Sequence, residues 1–220
     1  MEQKDKGRMT THSIDAGELE LIAIESTTVA KDKYLVLLVD DLPKVVDVTG
    51  TLLSRKGYSV LGFTNSAIAQ IYVTALSGDQ KAKDKLASAF NSKTIIGKPF
   101  TAINQFQSGD TNAYLFAREQ QNWEQLMSYQ IAVVVSDAMM PQPNGFELLG
   151  HVGETFPNTY RILLSGETEY VKSTQLKESL KGVAFDEYIE KAAQGIAYAN
   201  PLQEKILFGL KRYEHRLNPQ

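Results

Sequence analysis

Cysteine is absent from all 220 residues, which excludes a disulfide framework and any thiolate chemistry. Histidine is scarce: His12, His151 and His215 are too scattered to form a local metal motif. No apolar run approaches the roughly 18 residues of a membrane span, and the polar, charged N-terminus is unlike a signal peptide. An excess of positive charge is missing too. The net charge of −3 gives no ground to expect a nucleic acid partner. What remains is an ordinary globular composition, 43% hydrophobic and 22% charged, so a packed core is expected. The length allows one large domain or two small ones, and a soluble cytoplasmic protein is the default expectation.

Residues 1–33 form an N-terminal extension, polar at first, in which Leu19, Leu21, Ile22 and Ile24 suit a short strand or helix. From Tyr34 the pattern sharpens. The run "YLVLLV" is continuous, apolar and of strand length, which suits a strand buried on both faces. "LPKVVDVTGTLLSRKG" follows as a helix, with Pro43 in its first turn, Val45, Val48 and Leu52 on one face and Gly57 as its stop. "YSVLGF" predicts a second strand, and "SAIAQIYVTAL" a helix capped by Ser66. Later, "IAVVVS", "YRILLS" and "DEYIE" read as strands. "GFELLGHVGETF", "EYVKSTQLKESLKG" and "ANPLQEKILFGLKRYEHRL" read as helices, the last with Leu202, Ile206, Leu210 and Tyr213 along one stripe. Five strand–helix units in alternation predict an α/β domain over residues 34–220 with a doubly wound parallel sheet.

One segment exceeds this plan. From Asp41 to Asp137 is 96 residues, whereas two strand–helix units need roughly 45–50. The surplus lies at about 77–122. "DQKAKDKLASAF" predicts an exposed helix, "SKTIIGKPFTAINQF" an extended run, "SGDTNAY" a turn and "LFAREQQNWEQLMSY" a helix, so an ordered, mainly helical insertion is expected. It joins the chain where the third parallel strand is entered. That is the amino-terminal edge of the sheet, so no contribution to a site at the carboxyl edge is expected. Its apolar "TIIGKPF" must be buried on the domain or against a partner or second copy.

Sites in parallel α/β sheets form at the carboxyl ends of strands. Strand one ends in Asp40 and Asp41, strand three in Asp137, strand four in Ser165 and Gly166, and strand five near Lys191. Three carboxylates brought together repel and raise one another's pKa unless a cation sits among them. Oxygen ligands with sites left for water and phosphate suit Mg²⁺. A carboxylate in that setting can attack a phosphoryl group to form an aspartyl phosphate. A nearby lysine and hydroxyl would hold the phosphoryl oxygens.

"LLVDD", "SDAMMPQPNGFELL", "RILLSG" and "YIEKA", in that order, resemble the receiver domain of two-component response regulators. The resemblance covers residues 34–76 and 123–217. It implies a flavodoxin-like five-stranded parallel sheet of order 2-1-3-4-5. It makes Asp137 the phosphoacceptor, phosphorylated in a Mg²⁺-dependent reaction. Asp40 and Asp41 become the acidic pair, with Asp137 and the Met139 backbone carbonyl completing the metal ligands. Ser165 takes the switch hydroxyl position, Lys191 the phosphate-binding lysine and Tyr188 the aromatic switch. Pro141 and Gly145 match the loop after the phosphoacceptor. The implied partners are a histidine kinase or phosphotransfer protein and an output protein, with no nucleic acid and no membrane. Signalling would run through the fourth helix, fifth strand and fifth helix without an appended output domain. No enzymatic activity is implied beyond self-phosphorylation and slow autodephosphorylation.

One position departs from the pattern: Ala192 follows Lys191 where the family usually has proline. That departure and the insertion also fit a pseudo-receiver, a binding module that works without phosphorylation. A haloacid-dehalogenase-type phosphatase expects two Asp residues two positions apart on its first strand, a spacing "VDDLP" lacks. Asp41 also suits the cap of the Pro43 helix, Lys191 a solvated lysine, and Tyr188 simple packing.

Overall fold

The computed structural model describes residues 16–91, 104–108, 111–117, 127–166, 184–191 and 199–219. Its elements are α1 (Ala16–Ser26), β1 (Leu35–Val39), α2 (Pro43–Arg55), β2 (Ser59–Phe63), α3 (Ser66–Leu76) and α4 (Gln80–Asn91). Then come β3 (Asn104–Ser108), β4 (Thr111–Ala117), β5 (Ile131–Asp137), α5 (Gly145–Thr155), β6 (Tyr160–Ser165), β7 (Glu187–Glu190) and α6 (Ala199–Leu217). The expected helix at 169–182, Ala192 and "TIIGKPF" lie outside the described residues. No helix among the described residues is long and apolar enough to cross a membrane.

The sheet runs β3-β4-β2-β1-β5-β6-β7. Its parallel part, β2-β1-β5-β6-β7, has the flavodoxin-like order 2-1-3-4-5. Every residue of β1, β2 and β5 is buried. Alternate side chains enter opposite cores, as the period of a strand requires. Leu35, Leu37 and Val39 join α3, α4 and α5 on one face, while Val36 and Leu38 join α2 and α6 on the other. The α6 stripe is seated as expected, with Leu202, Ile206 and Leu210 fully buried. On α2 the buried residues are Val46, Thr49, Gly50, Leu53 and Ser54, beside the expected Val45, Val48 and Leu52, which are only partly covered.

Residues Ala16–Ser26 of the N-terminal extension dock as a helix. Ile24 of α1 is buried, and the Lys211 ammonium of α6 donates to the Glu25 carbonyl at 2.5 Å. Among its described residues the insertion supplies a helix, α4, and a hairpin, β3–β4, which extends the sheet antiparallel from β2. Residues 115–117, expected to begin a helix, lie in β4 instead. An open β2 edge would present a row of unpaired backbone groups, and the hairpin takes them up. Tyr114 and Phe116 are residue types that favour strands.

Beneath the far end of the sheet, Asp186 collects Arg161 and Arg212. It accepts from Arg161 Nε at 3.0 Å, Arg161 backbone N at 2.9 Å and Arg212 Nη1 at 3.1 Å. Burial pushes the Asp186 carboxyl up, but the Arg161 hydrogen bonds and charge outweigh it and hold the group below its ordinary 3.8. A depressed carboxylate contributes stability that is present above its unfolded pKa and lost as pH falls through the folded value. Asp186→Asn is therefore expected to cost about 1.5–3 kcal/mol near neutrality. The difference from wild type should close below the ordinary carboxylate range, as read by urea melts across pH.

Candidate functional site

A buried apolar strand that ends on a carboxylate delivers that group to the carboxyl edge of the sheet. β5 does this with Asp137, whose neighbours there are set by the parallel register. Val39 pairs with Ser136, Asp137 with Leu164, and Ser165 with Glu190. The ladder runs one residue past each strand. Asp40 N donates to Phe63 O at 3.1 Å, Ala138 N to Leu164 O at 2.7 Å and Lys191 N to Ser165 O at 2.8 Å. Asp40, Asp137, Ser165 and Lys191 therefore stand at one edge because the backbone pairing puts them there.

Their side chains form a charged cluster. Lys191 Nζ donates to Asp40 Oδ2 at 2.6 Å and also to Asp137 Oδ1. The other oxygen of each carboxylate accepts from backbone: Asp137 Oδ2 from Met139 N at 2.9 Å, and Asp40 Oδ1 from Leu42 N at 3.0 Å. Asp40 is wholly buried and Asp137 nearly so. Burial lifts the Asp40 carboxyl above 3.8, and Lys191 offsets only part of that. Asp41, partly exposed, is lifted by burial and then by the charge of Asp137. Burial disfavours the charged Lys191 ammonium, yet the Asp40 charge and the bonds to both carboxylates win and raise it above 10.5.

Asp41 is not spent as a helix cap. Leu42 occupies the N-cap position of α2 without a side-chain cap bond, and it is Asp40 that receives the Leu42 N–H. The neighbouring helix corrects another expectation. Asn65, not Ser66, caps α3, accepting from Ile68 N at 3.0 Å. Ser66 Oγ instead donates to Pro141 O at 2.9 Å and ties the start of α3 to the loop after Asp137.

That loop is pinned at Gly145, whose N donates to Ala138 O at 3.2 Å. A Cβ at Gly145 would stand 2.0 Å from the Asp137 carbonyl oxygen, a backbone atom that cannot swing aside. Asn144 and Glu147 then close a reciprocal capping box on α5, which the N-x-x-E spacing could have revealed. Gly145→Ala is expected to cost about 1–3 kcal/mol through forced displacement of the Asp137 backbone. It should lower the activity of the site more than a matched Gly150→Ala, where an added Cβ meets nothing. Equal effects in the two variants, by chemical denaturation, would contradict the close approach.

Ser165 is buried at the end of β6. Tyr188 is half-buried against the core on the α3 and α5 face. Burial raises its phenol pKa, the charge of Glu190 adds to this, and a side-chain hydrogen bond with Ser165 pulls the other way. The Ser165 hydroxyl and the Tyr188 phenol are thus hydrogen-bond partners.

As donors for a metal, Asp40, Asp41, Asp137 and the Met139 carbonyl offer only oxygen, the preference of a hard divalent cation. Against three carboxylates stands one ammonium, and the upward push of Asp137 on Asp41 shows the uncompensated charge. The donor set therefore fits a divalent cation in charge and chemistry. Lys191 bridges two of the carboxylates, and no group of three metal-holding side chains is assembled among the described residues.

The insertion comes closer to this edge than expected. α4 packs back along α3, and its Lys85 lines a cavity of about 500 Å³ that also takes in Asp41, Ser66 and Met140. Nothing in the periodicity singles out Lys85 among its neighbouring lysines.

No family model and no curated protein matches the chain. Many of the solved structures similar to it are receiver domains. A response regulator receiver domain protein from Clostridium thermocellum is 16% identical, with a TM-score of 0.46 over 82% of this chain and 97% of its own. A CheY-like receiver domain protein from Methanospirillum hungatei JF-1 is 17% identical, with a TM-score of 0.47 over 83% and 98%. A Thermotoga maritima response regulator solved in complex with Mg²⁺-BeF is 17% identical, with a TM-score of 0.41 over 79% and 98%. Likenesses this distant carry no function, so a function for this edge rests on its side chains.

Proposed function

We propose that this chain is a response regulator whose Asp137 accepts a phosphoryl group, in a Mg²⁺-dependent reaction, from a histidine kinase or phosphotransfer protein. One observation carries the reading: Asp137 and Asp40 share the Lys191 ammonium at the carboxyl edge of a parallel sheet, beside Asp41. Asp40, Asp41, Asp137 and the Met139 carbonyl would hold Mg²⁺, which when bound supplies positive charge for the phosphoryl oxygens.

The chain's own residues do the rest. The Met139 N–H holds one Asp137 oxygen and orients the carboxylate. A carboxylate oxygen forms the new bond to phosphorus, and the bond from phosphorus to the donor nitrogen breaks with its electron pair leaving on that nitrogen. Lys191 is already within hydrogen-bond reach of Asp137, so its ammonium can turn to a phosphoryl oxygen. The Ser165 hydroxyl has the same destination. If it leaves Tyr188 for the phosphoryl group, the ring is free to repack, a two-state change at the β7 surface. On this reading the chain catalyses only its own phosphorylation and slow dephosphorylation. Output runs through protein contacts.

A small phosphodonor with Mg²⁺ should add one phosphoryl mass to the intact chain, and chelation of the metal should prevent it. A phosphoryl mimic should also shift NMR resonances of β7 and α6 in wild type. Unchanged shifts in Ser165→Ala would remove that hydroxyl from the coupling. The Lys191 bridge favours a second reading, a phosphorylation-independent binding module with its acidic site closed by lysine. A chain that takes no phosphoryl group from any donor supports that reading.

A further inference from the structure

The cavity beside Asp41 has a feature that the phosphoacceptor edge does not account for. Its walls come from the Asp41 turn, the start of α3, the Met140–Gln142 stretch and α4. Its volume of about 500 Å³ lies within the range of small-ligand sites. Ile68, Ile71 and Met140 make part of the lining apolar. Lys85 is the one cation among the described lining residues. It is exposed, and it has no hydrogen bond or ion pair to another described residue. A lysine at a partly apolar recess, unpaired among the described residues, is equipped to meet an anion.

We infer that this cavity receives the acyl portion of a small acyl phosphate and that Lys85, supplied by the insertion, stabilises the departing carboxylate. The inference rests on the reading of Asp137 as phosphoacceptor. Asp41, Met140 and Pro141 line the cavity, and Met140 and Pro141 follow Asp137 in the chain. A donor that presents phosphorus to Asp137 therefore has this recess beside it for the rest of its body. The step balances without further reagents. An Asp137 oxygen bonds to phosphorus, the bond from phosphorus to the acyl oxygen breaks, and its electron pair leaves as a carboxylate. Charge that lay on the phosphoryl group is thus partly moved to the leaving oxygen, where an ammonium stabilises it. Ile68, Ile71 and Met140 suit a short apolar acyl chain. Lys85 is here a specificity-determining residue, since a donor that releases ammonia develops no carboxylate to meet.

The test compares two donors on the full chain with Mg²⁺, following phosphoryl uptake at Asp137 by intact mass. Acetyl phosphate has a carboxylate leaving group, and phosphoramidate releases ammonia. Lys85→Ala should lower the rate with acetyl phosphate about fivefold relative to the rate with phosphoramidate, the worth of one close charge pair in water. Alanine is a good helix former at an exposed position, so the fold should persist. Lys85→Arg should restore most of the ratio, and Lys81→Ala, on the same helix, should leave it at the wild-type value. An unchanged ratio in Lys85→Ala would overturn the inference, as would the same loss in Lys81→Ala. No labelling of wild type by either donor would instead overturn the phosphoacceptor reading itself.

Discussion

Asp137→Asn is expected to abolish phosphoryl uptake while leaving the domain folded. The amide keeps the shape of the side chain and an oxygen that can accept the Met139 N–H, now 2.9 Å from Asp137 Oδ2. It loses the negative oxygen that attacks phosphorus, and an amide oxygen is a poor substitute. It also removes one of the two carboxylates bound to Lys191, leaving Asp40 as that lysine's partner. Because Asp40 remains paired, the stability change should be small beside the loss of function. Mass spectra after incubation with acetyl phosphate and Mg²⁺ give the result directly. Retained labelling in the variant would move the phosphoacceptor elsewhere.

Lys191→Met should damage both stability and reactivity. The ammonium is the shared cation of two carboxylates, one of them wholly buried. Removing one partner of a buried pair leaves uncompensated charge and costs about 3–5 kcal/mol. The pH dependence has a definite sign. The pKa of Lys191 is raised above 10.5. Its contribution in wild type is therefore complete below the ordinary lysine value and lost as pH rises through the raised one. In the variant, Asp40 keeps its burial and loses the charge that offset it, so its carboxyl, already above 3.8, moves further up. A carboxyl raised in the folded state gains stability as it takes a proton. The deficit of Lys191→Met should then narrow on acidification, in urea melts at neutral and mildly acidic pH. A deficit that widens in acid would contradict the pairing. Phosphoryl uptake should fall about 10²–10³-fold, the scale for losing one donor to a developing charge.

The parallel sheet and the residues at its edge were legible because apolar runs of strand length ended on chemistry-bearing residues. "YLVLLV" before Asp40 and "IAVVVS" before Asp137 became β1 and β5 with every residue buried. Parallel register then brought Asp40, Asp137, Ser165 and Lys191 to one edge without any sequence signal for their contacts. What local pattern could not give was set by tertiary geometry. Ser66 was expected to cap α3, but Asn65 took the cap while Ser66 turned to Pro141. The Val45, Val48, Leu52 stripe was displaced to Val46, Gly50, Leu53 because Val46 and Leu53 stand next to Val45 and Leu52 in the chain and the sheet chose the face. The β3–β4 hairpin answers an open strand edge that only the folded sheet possesses. The path of α4 is a matter of packing against α3, which is why Lys85 reached the recess beside Asp41 unannounced.

The central claim is that residue 137 itself carries the phosphoryl group. The wild-type chain, phosphorylated with acetyl phosphate and Mg²⁺, can be treated with borohydride, which reduces an aspartyl phosphate to homoserine. Peptide fragmentation then reads the modified position. Homoserine at position 137, dependent on Mg²⁺ and absent from the unphosphorylated control, is the predicted result. Homoserine at any other aspartate, or at none, would contradict it.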